Sequence, residues 1–468
     1  MTELSTGGEA VPLQTRPRPC LLLAAAVALV ACNSTGPTPV STPATAVCGN
    51  GVEESGEECD DGNGVNADGC LTTCQRPVTW TTSDVHVHGS GCSAYASPAG
   101  LAELLKAQQI QVGAALVWGR GYADDAVFFT GRDSPVSAPG FILHYDLEVS
   151  HFVAAKTGHL ILLGLDSLAF SPDVFYIPQS GVPVVEWARR QPRAVVGMAH
   201  AQFWPADGSF PVPPGGCCTP FEVVVHAVRG RLDFLSAERM PDEEPGTFRL
   251  WKALQNAGFR VAISGGSDWS CMADRFHERT PRTDVIVDGP LTYENWLLAI
   301  KAGRTAAAAG IGNHLNLRVE GRRLGEEVQL AAPQEVTVTL ETAGSATDIE
   351  VLVNGEVVTR VPVAAGVQLA QVRVPVSTSS WIAARSRNGL TSPVYVIVGG
   401  HPVRASSDDI CYLWRSVDHL EDLVTTRRLY LYESAQESLS AYHEAIDELK
   451  RRFAESGGPP SSSSCTPG

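Results

Sequence analysis

The stretch FRLWKALQNAGFRVAISGGSD, residues 248–268, contains one helix–strand unit of an α/β fold. Apolar residues recur at helical spacing up to Gly258, which predicts a helix that ends there. The run that follows, residues 259–268, predicts a buried strand with Asp268 at its carboxyl end. Repeated units of this kind form parallel sheets or barrels, and functional side chains gather where the strands end.

The same alternation extends over residues 78–320. Strands are predicted at 161–165 and 193–200, and helices at 101–109 and 184–191. We therefore expect an α/β barrel. The whole chain has 468 residues, too many for one compact domain by the usual measure.

The pattern of apolar and polar residues changes at residue 321. Segments between 335 and 388 alternate apolar and polar residues, and Asn354-Gly355 marks a hairpin turn between two of them. These features predict a small antiparallel β-sandwich over 321–402. A helical segment is expected over 403–456, with a single amphipathic helix at 417–455. Residues 457–468 are predicted to be disordered, with Cys465 either free or paired with another chain.

The amino-terminal segment predicts export. An apolar run, LLLAAAVALVA at 21–31, follows two arginines and is too short to span a bilayer. Residues 29–32 resemble a bacterial lipobox, which implies cleavage after residue 31 and lipidation of Cys32. A secretory signal without lipid and a short buried helix are the alternatives. Residues 32–46 are rich in Ser, Thr and Pro and predict a tether. Asn33 rather than Asp after the cysteine favours the outer membrane.

Residues 47–76 form a Cys-rich segment with four cysteines, Cys48, Cys59, Cys70 and Cys74. So short a segment lacks an apolar core, so two disulfides are predicted, and the sequence leaves their connectivity open. The pattern resembles the Cys-rich repeat common on myxobacterial surface proteins. Oxygen-bearing side chains offer ligands for calcium, although a solvated acidic loop has the same composition. These side chains are Asp60, Asp61, Asn63, Asn66 and Asp68.

The net charge of the chain indicates which kinds of molecule it can bind. With 35 basic and 51 acidic residues, the formal net charge is −16. Phosphate-binding surfaces are basic, so nucleic acid is not expected as a partner. A small-molecule substrate is expected instead, with membrane contact through the lipid anchor only. The oligomeric state cannot be predicted.

Six side chains are candidate metal ligands. His86 and His88 stand two apart in DVHVHG, residues 84–89, and on a strand they share one face. Imidazole binds zinc, manganese or iron, although two structural histidines would give the same pattern. Further His and carboxylate residues stand near the ends of other apolar runs, which favours a metal site. These are Glu148, His159, His200 and Asp268.

These segments resemble the PHP (polymerase and histidinol phosphatase) superfamily, and within it the carbaryl-hydrolase-like (CehA/McbA-type) metallohydrolases. The matching segments are DVHVHG at 84–89, LEV at 147–149 with GHLILLG at 158–164, AH at 199–200, SGGSD at 264–268 and KAGRTAAAAG at 301–310. The resemblance covers residues 80–400 and implies a distorted (β/α)7 barrel. It assigns one metal to His86, His88, Glu148 and Asp268, and a second to Glu148, His159 and His200, so Glu148 would bridge the two ions.

The sequence departs from the family at three positions that serve a third metal there. Ser93 stands where an Asp is usual, Trp118 where a His is frequent, and Ser270 two residues after Asp268 where another His is usual. We therefore expect two divalent ions, of manganese, zinc or iron, and no third site. The family's phosphatases use all three ions, so phosphatase activity is less expected.

Two bound ions would give a bridging hydroxide that attacks an ester, carbamate or amide carbonyl. The chain is thus expected to be a metal-dependent hydrolase. The rivals are a phosphoesterase of the same superfamily and a surface binding protein with a relic metal site. His151, His226 and Arg304 are candidates for substrate contact or proton transfer, but a residue of this kind more often supports a site from behind or lies on the surface.

The remaining cysteines give two expectations. Cys92 and Cys271 each follow a candidate ligand by three or four residues, so a disulfide between them is predicted. Cys217-Cys218 are adjacent, and three readings stay open: a vicinal disulfide, two separate links, or soft metal ligands.

Overall fold

The computed structural model describes residues 47–55, 57–64, 70–150, 157–168, 180–212, 218–240, 242–243, 245–272, 276–345, 347–426, 435–457 and 465, with backbone only at 435–437. The predicted signal, Cys32 and the tether lie outside these residues. So do Asn66, Asp68, His151, Cys217 and most of the predicted disordered tail.

The described residues form mixed α and β structure. The helices are α1 Pro98–Ala107, α2 Tyr122–Asp125, α3 Gly181–Arg189, α4 Val223–Val228, α5 Gly246–Asn256, α6 Tyr293–Lys301, α7 Ser407–Thr425 and α8 Ala435–Glu455. The strands are β1 Trp80–Val87, β2 Val112–Val117, β3 Ile142–Val149, β4 Leu160–Leu163, β5 Val195–Met198, β6 Phe234–Ala237, β7 Ala262–Gly265, β8 Pro281–Ile286, β9 Thr305–Ala309, β10 His314–Val319, β11 Glu327–Leu330, β12 Gln334–Ala343, β13 Thr347–Val353, β14 Glu356–Val363, β15 Gln368–Val376, β16 Ser380–Ser386, β17 Gly389–Thr391 and β18 Val394–Val398.

Strands β1 to β7 are neighbours in chain order, and the sheet curls back on itself. The chain after β7 returns to β1, because the Asp268 amide donates to His86 O at 2.8 Å and the His88 amide to Trp269 O at 2.6 Å. The predicted α/β class is confirmed. The β1–β2–β3 and β5–β6–β7 pairs are parallel.

Strand β4 is an exception, since it runs antiparallel to both β3 and β5. The connection from Val149 to Leu160 explains this. A parallel crossover needs about a dozen residues or more, usually with a helix, and this connection is shorter. The amino end of β4 therefore lies at the barrel edge where β3 ends.

The carboxyl-terminal strands form two facing sheets. One contains β10, β12 and β15, and the other, with β11, β18, β16, β13 and β14, joins the barrel sheet through β17 and β9. Their apolar sides meet in a shared core that includes Leu317, Val338 and Val396. The predicted hairpin at Asn354-Gly355 is present. Both residues have positive φ, 54° and 85°, as a tight turn between twisted strands requires.

The prediction of one helix over 417–455 is wrong. The structure has α7 ending at Thr425 and α8 beginning at Ala435. The two helices pack antiparallel, with His443 near Glu421 and Phe453 against Trp414. An amphipathic pattern shows which face is apolar, but it cannot distinguish one long helix from two that bury the same face against each other.

The disulfides tie distant segments together. The two predicted for the Cys-rich segment are present and nested, Cys48–Cys74 around Cys59–Cys70. The predicted Cys92–Cys271 bond is confirmed. The prediction that Cys465 is free or paired with another chain is wrong, because it bonds to Cys411 of α7 and is buried. Such bonds persist in oxidising compartments and are typical of exported proteins.

The proposed calcium ligand Asp60 has another role. Its two carboxylate oxygens accept backbone N–H groups of Gly49, Asn50, Gly51 and Gly62 at 2.8–3.1 Å. These donors occupy the oxygens that a cation would need, so Asp60 organises the turns of the disulfide-rich segment.

No helix within the described residues is long and apolar enough to cross a bilayer.

Candidate metal centre

The six candidate ligands converge at one edge of the barrel. His86 lies within β1 and His88 follows it directly, and Glu148 lies near the end of β3. His200 and Asp268 follow β5 and β7. His159 precedes β4 rather than following it, and the antiparallel direction of β4 brings it to the same edge. All six side chains are buried, none more than 4% exposed.

The distances show a tight cluster of imidazoles and carboxylates. His88 Nε2 lies 3.0 Å from Asp268 Oδ1 and 3.3 Å from Glu148 Oε2. His86 Nε2 lies 3.3 Å from the same Asp268 oxygen and 3.6 Å from the same Glu148 oxygen. His159 Nδ1 lies 2.8 Å from Glu148 Oε1. The His200 ring is the most distant, with Nε2 3.8 Å from Asp268 Oδ2.

Two backbone positions at this edge are unusual. His200 and Asp268 have φ of 59° and 47°, in the left-handed region that residues with side chains rarely adopt. Such conformations cost about 1–3 kcal/mol each and occur where the surroundings hold them in place. Here the Asp268 amide donates to His86 O, and the His200 amide donates to a carboxylate of Glu238.

Glu238 is the residue that the sequence reasoning missed. It follows β6 directly and is 3% exposed. One oxygen lies 3.1 Å from His86 Nδ1, and the other accepts the His200 amide at 2.7 Å. A carboxylate on the far nitrogen of a metal-binding histidine fixes its tautomer and leaves the other nitrogen free. The sequence did offer a signal for Glu238, because it directly follows the apolar run FLSA, as Asp268 follows the apolar run of β7.

The electrostatics reflect charge packed into a buried space. Burial opposes a charge on His86, but the carboxylates of Asp268 and Glu148 outweigh it and hold its pKa well above the ordinary value. Burial likewise opposes a charge on Glu148, yet His159 and His86 hold its pKa well below its usual range. Burial lowers the pKa of His200 to about 4 despite the nearby Glu238 and Asp268.

A cavity of about 350 Å³ opens beside this cluster. Its lining includes five of the six candidates, all but His86. Trp118, Arg120, Met272 and the Cys92–Cys271 disulfide line it as well. Cys218 also lines it but is disulfide-bonded, so its sulfur is not a free thiolate, and the reading of this cysteine as a soft metal ligand is wrong.

The three positions that depart from the resembled family have structural contacts instead. Ser93 Oγ donates to Ser270 O at 2.7 Å, and Ser270 Oγ accepts the Ala94 amide at 3.0 Å. Trp118 donates from its indole to Ser90 O at 2.8 Å, and its ring lies 5.0 Å from that of His88. The serine contacts and the Cys92–Cys271 disulfide join the loops after β1 and β7, and the Trp118 contacts join the loops after β1 and β2.

Two further candidates lie elsewhere. His226 is fully buried on α4, with Nε2 3.7 Å from Glu222 Oε2, and burial lowers its pKa to about 3. Arg304 precedes β9 at the opposite edge of the barrel, where it donates to Asp288 at 2.6 Å. Neither is among the described residues that line the cavity. The structure therefore gives no support to a substrate role for either residue.

Comparisons with known proteins add little to the geometry. No protein-family model and no curated protein sequence matches the chain. One solved structure that resembles it is a two-domain protein from Bacteroides vulgatus described as containing a predicted PHP-like metal-dependent phosphoesterase. It is 12% identical, with a TM-score of 0.38, over 70% of this chain and 94% of that one. A likeness at this level says nothing of this chain's activity, which has to be inferred from the site.

Proposed function

We propose that this protein is a metal-dependent hydrolase that acts on an ester, carbamate or amide carbonyl. The observation that carries the proposal is the cluster of four imidazoles and two carboxylates, all buried, at one barrel edge. Burying two carboxylates side by side is costly unless positive charge compensates them.

One atom supports a cation in particular. His86 Nε2 is buried, has no hydrogen-bond partner among the described residues, and faces oxygens of both Asp268 and Glu148. Glu238 occupies the other ring nitrogen. A nitrogen held in this way, with carboxylate oxygens beside it, fits a metal ligand better than a structural histidine.

Two ions fit the donor set better than one. Glu148 directs Oε2 toward His86 and His88, and Oε1 toward His159. A carboxylate that offers each oxygen to a different group of imidazoles is suited to bridge two cations. We assign one ion to His86, His88, Glu148 and Asp268, and the other to Glu148, His159 and His200.

Two divalent cations here would supply a water-derived nucleophile near neutral pH and polarise a carbonyl oxygen. The protein's own part is placement. Strand ends fix the ligands, Glu238 orients His86, and the cavity admits a small substrate beside them. Manganese, zinc and iron all suit His and carboxylate ligands.

The finer assignments are proposed with the function. We place the chain in the PHP superfamily, near the carbaryl-hydrolase-like group, with a (β/α)7-derived barrel. We also propose that it is exported and anchored through a lipid on Cys32 to the outer membrane. The disulfides support export.

The test measures metal and turnover in the same full-length preparation. Elemental mass spectrometry should find about two metals per chain after reconstitution with manganese, zinc or iron. His86→Ala and Glu148→Ala should lose metal together with hydrolysis of aryl esters or carbamates. His144→Ala is the matched control, because His144 is equally buried but pairs with Asp146 in the strand β3.

The outcomes separate the rivals. Turnover of an aryl phosphate but not of an ester would select a phosphoesterase. A folded protein that takes up none of these metals and hydrolyses none of these substrates would refute the enzyme and favour a surface binding protein.

A further inference from the structure

Arg120 differs from the other residues around the cavity in its charge and in its lack of a partner among the described residues. It is the only arginine or lysine among the described residues that line the cavity. The side chain is exposed, and no hydrogen bond or ion pair holds it within the part of the chain that the structure describes. Most other arginines that line clefts of this acidic chain are paired, such as Arg279 with Asp242 and Glu243.

The backbone that carries Arg120 is held firmly although the side chain is free. Ser90 O accepts the Trp118 indole N–H at 2.8 Å, and Ser90 Oγ lies 2.8 Å from Asp125 Oδ2 and 3.2 Å from Gly121 O, to either of which it can donate. A Cβ atom at Gly121 would lie 2.5 Å from Ser90 Oγ, so only glycine permits this approach. The loop after β2 is therefore held in place by contacts both before Arg120, at Trp118, and after it, at Gly121. A fixed base is what a recognition residue needs.

The surroundings of Arg120 favour a single negative charge. The carboxylates that line the cavity, Glu148 and Asp268, are the proposed ligands. The cavity lining also includes neutral residues, among them Trp118, Ser93 and Met272. One guanidinium matches one carboxylate in charge and in its two-pronged geometry.

We propose that Arg120 is a specificity-determining residue that selects substrates carrying a carboxylate away from the bond to be cleaved. The inference rests on the proposed hydrolase function, because the cavity of about 350 Å³ places the substrate against both the ligand cluster and Arg120. The predicted substrate class is a small carboxylate-bearing ester, carbamate or amide.

The experiment compares a matched pair of substrates with metal-loaded, full-length protein. The anionic substrate is 4-acetoxybenzoate, and its neutral counterpart is the methyl ester of the same ring carboxylate. In Arg120→Ala, KM for 4-acetoxybenzoate should rise about tenfold with kcat little changed, since a charged hydrogen bond changes an equilibrium constant by roughly that factor. KM for the neutral substrate should not change, and Arg120→Lys should recover part of the loss.

Two controls make the result specific. Arg190→Ala removes another exposed arginine, at the end of α3 and outside the cavity lining, and should alter neither substrate. Equilibrium titration with 4-hydroxybenzoate gives a readout independent of turnover. Its affinity should fall about tenfold in Arg120→Ala while bound metal stays the same.

The two hypotheses fail in different ways. If the wild type turns over both substrates but Arg120→Ala leaves the preference for the anion unchanged, the role of Arg120 is wrong and the hydrolase stands. If neither substrate is hydrolysed by protein that holds its metal, the proposed function is in doubt, and the titration alone decides on Arg120. An unchanged affinity in that titration would overturn the inference.

Discussion

Replacing Glu238 by Gln is the most informative single change in the centre. The carboxylate accepts from His86 Nδ1 at 3.1 Å and from the His200 amide at 2.7 Å, so it makes two bonds as an acceptor only. An amide of the same size has one oxygen and one NH2 group. It therefore cannot accept at both places.

Either orientation of the new amide is unfavourable. If its oxygen keeps the His200 amide, its NH2 group faces His86 Nδ1 and forces the ring proton onto Nε2, the nitrogen proposed to bind metal. If its oxygen keeps His86, the NH2 group opposes the His200 N–H. Losing a charge-assisted bond costs about 1.5–3 kcal/mol. We therefore expect metal affinity to fall about 10–100-fold, the usual effect of removing such a partner.

The assay is competition for metal against a chelator, with folding followed by circular dichroism. Glu341→Gln is the control, because Glu341 is also a buried carboxylate that accepts a backbone N–H, from Val78, but it lies in β12, outside the barrel. The metal affinity of the Glu341→Gln variant should match that of the wild type. If Glu238→Gln is folded and binds metal as tightly as the wild type, then Glu238 does not orient His86.

Three other predictions concern the frame around the site. Replacing Cys411 and Cys465 by Ser should lower the free energy of unfolding by about 2–4 kcal/mol in denaturant titrations, and non-reducing peptide mapping of the wild type should recover the linked pair; separate free thiols would contradict it. Tyr442→Phe removes a hydroxyl bonded to buried Glu222 and should cost about 1–3 kcal/mol without altering bound metal, whereas a loss of metal at full stability would be unexpected. Two neighbouring arginines lower the pKa of Glu448 to about 2, so its pairs stabilise the fold above about pH 4.5 and the benefit is lost as pH falls through 2. Glu448→Gln should therefore be less stable than the wild type by up to about 1 kcal/mol at pH 7, and the difference should shrink steadily as pH falls from about 4.5 to about 2; a difference that does not change over this range would refute this account.

Local rules were enough to predict that most of the candidate ligands lie at one edge of the barrel. His86 and His88 share a strand face by a spacing of two, and Asp268 and His200 follow strands whose apolar runs are plain in the sequence. The predicted Cys92–Cys271 bond relied on the same logic, because both cysteines follow residues placed at one edge. Whether a residue lies at the end of a strand or on one of its faces depends only on the few residues around it, so a short stretch of sequence can predict it.

Features that depend on two distant segments could not be predicted in this way. The bond between Glu238 and His86 joins residues 152 positions apart, and nothing near either residue indicates the other. Cys465 stands in a Ser/Pro-rich tail whose composition predicts disorder, yet its partner on α7 holds it in the core. Composition describes what a segment can bury by itself, not what a covalent bond holds in place.

The direction of β4 could be predicted only in part from the sequence, and it decides where His159 lies. The connection before it, residues 150–159, is short for a parallel crossover, and this length can be read from the sequence. That reversal is why His159 comes before its strand while His200, Glu238 and Asp268 come after theirs. In a uniformly parallel barrel, a histidine at that position would lie at the opposite edge, about one strand length from Glu148. The short connection between β3 and β4 therefore completes the centre, and insertion of a full helical crossover there should separate His159 from Glu148.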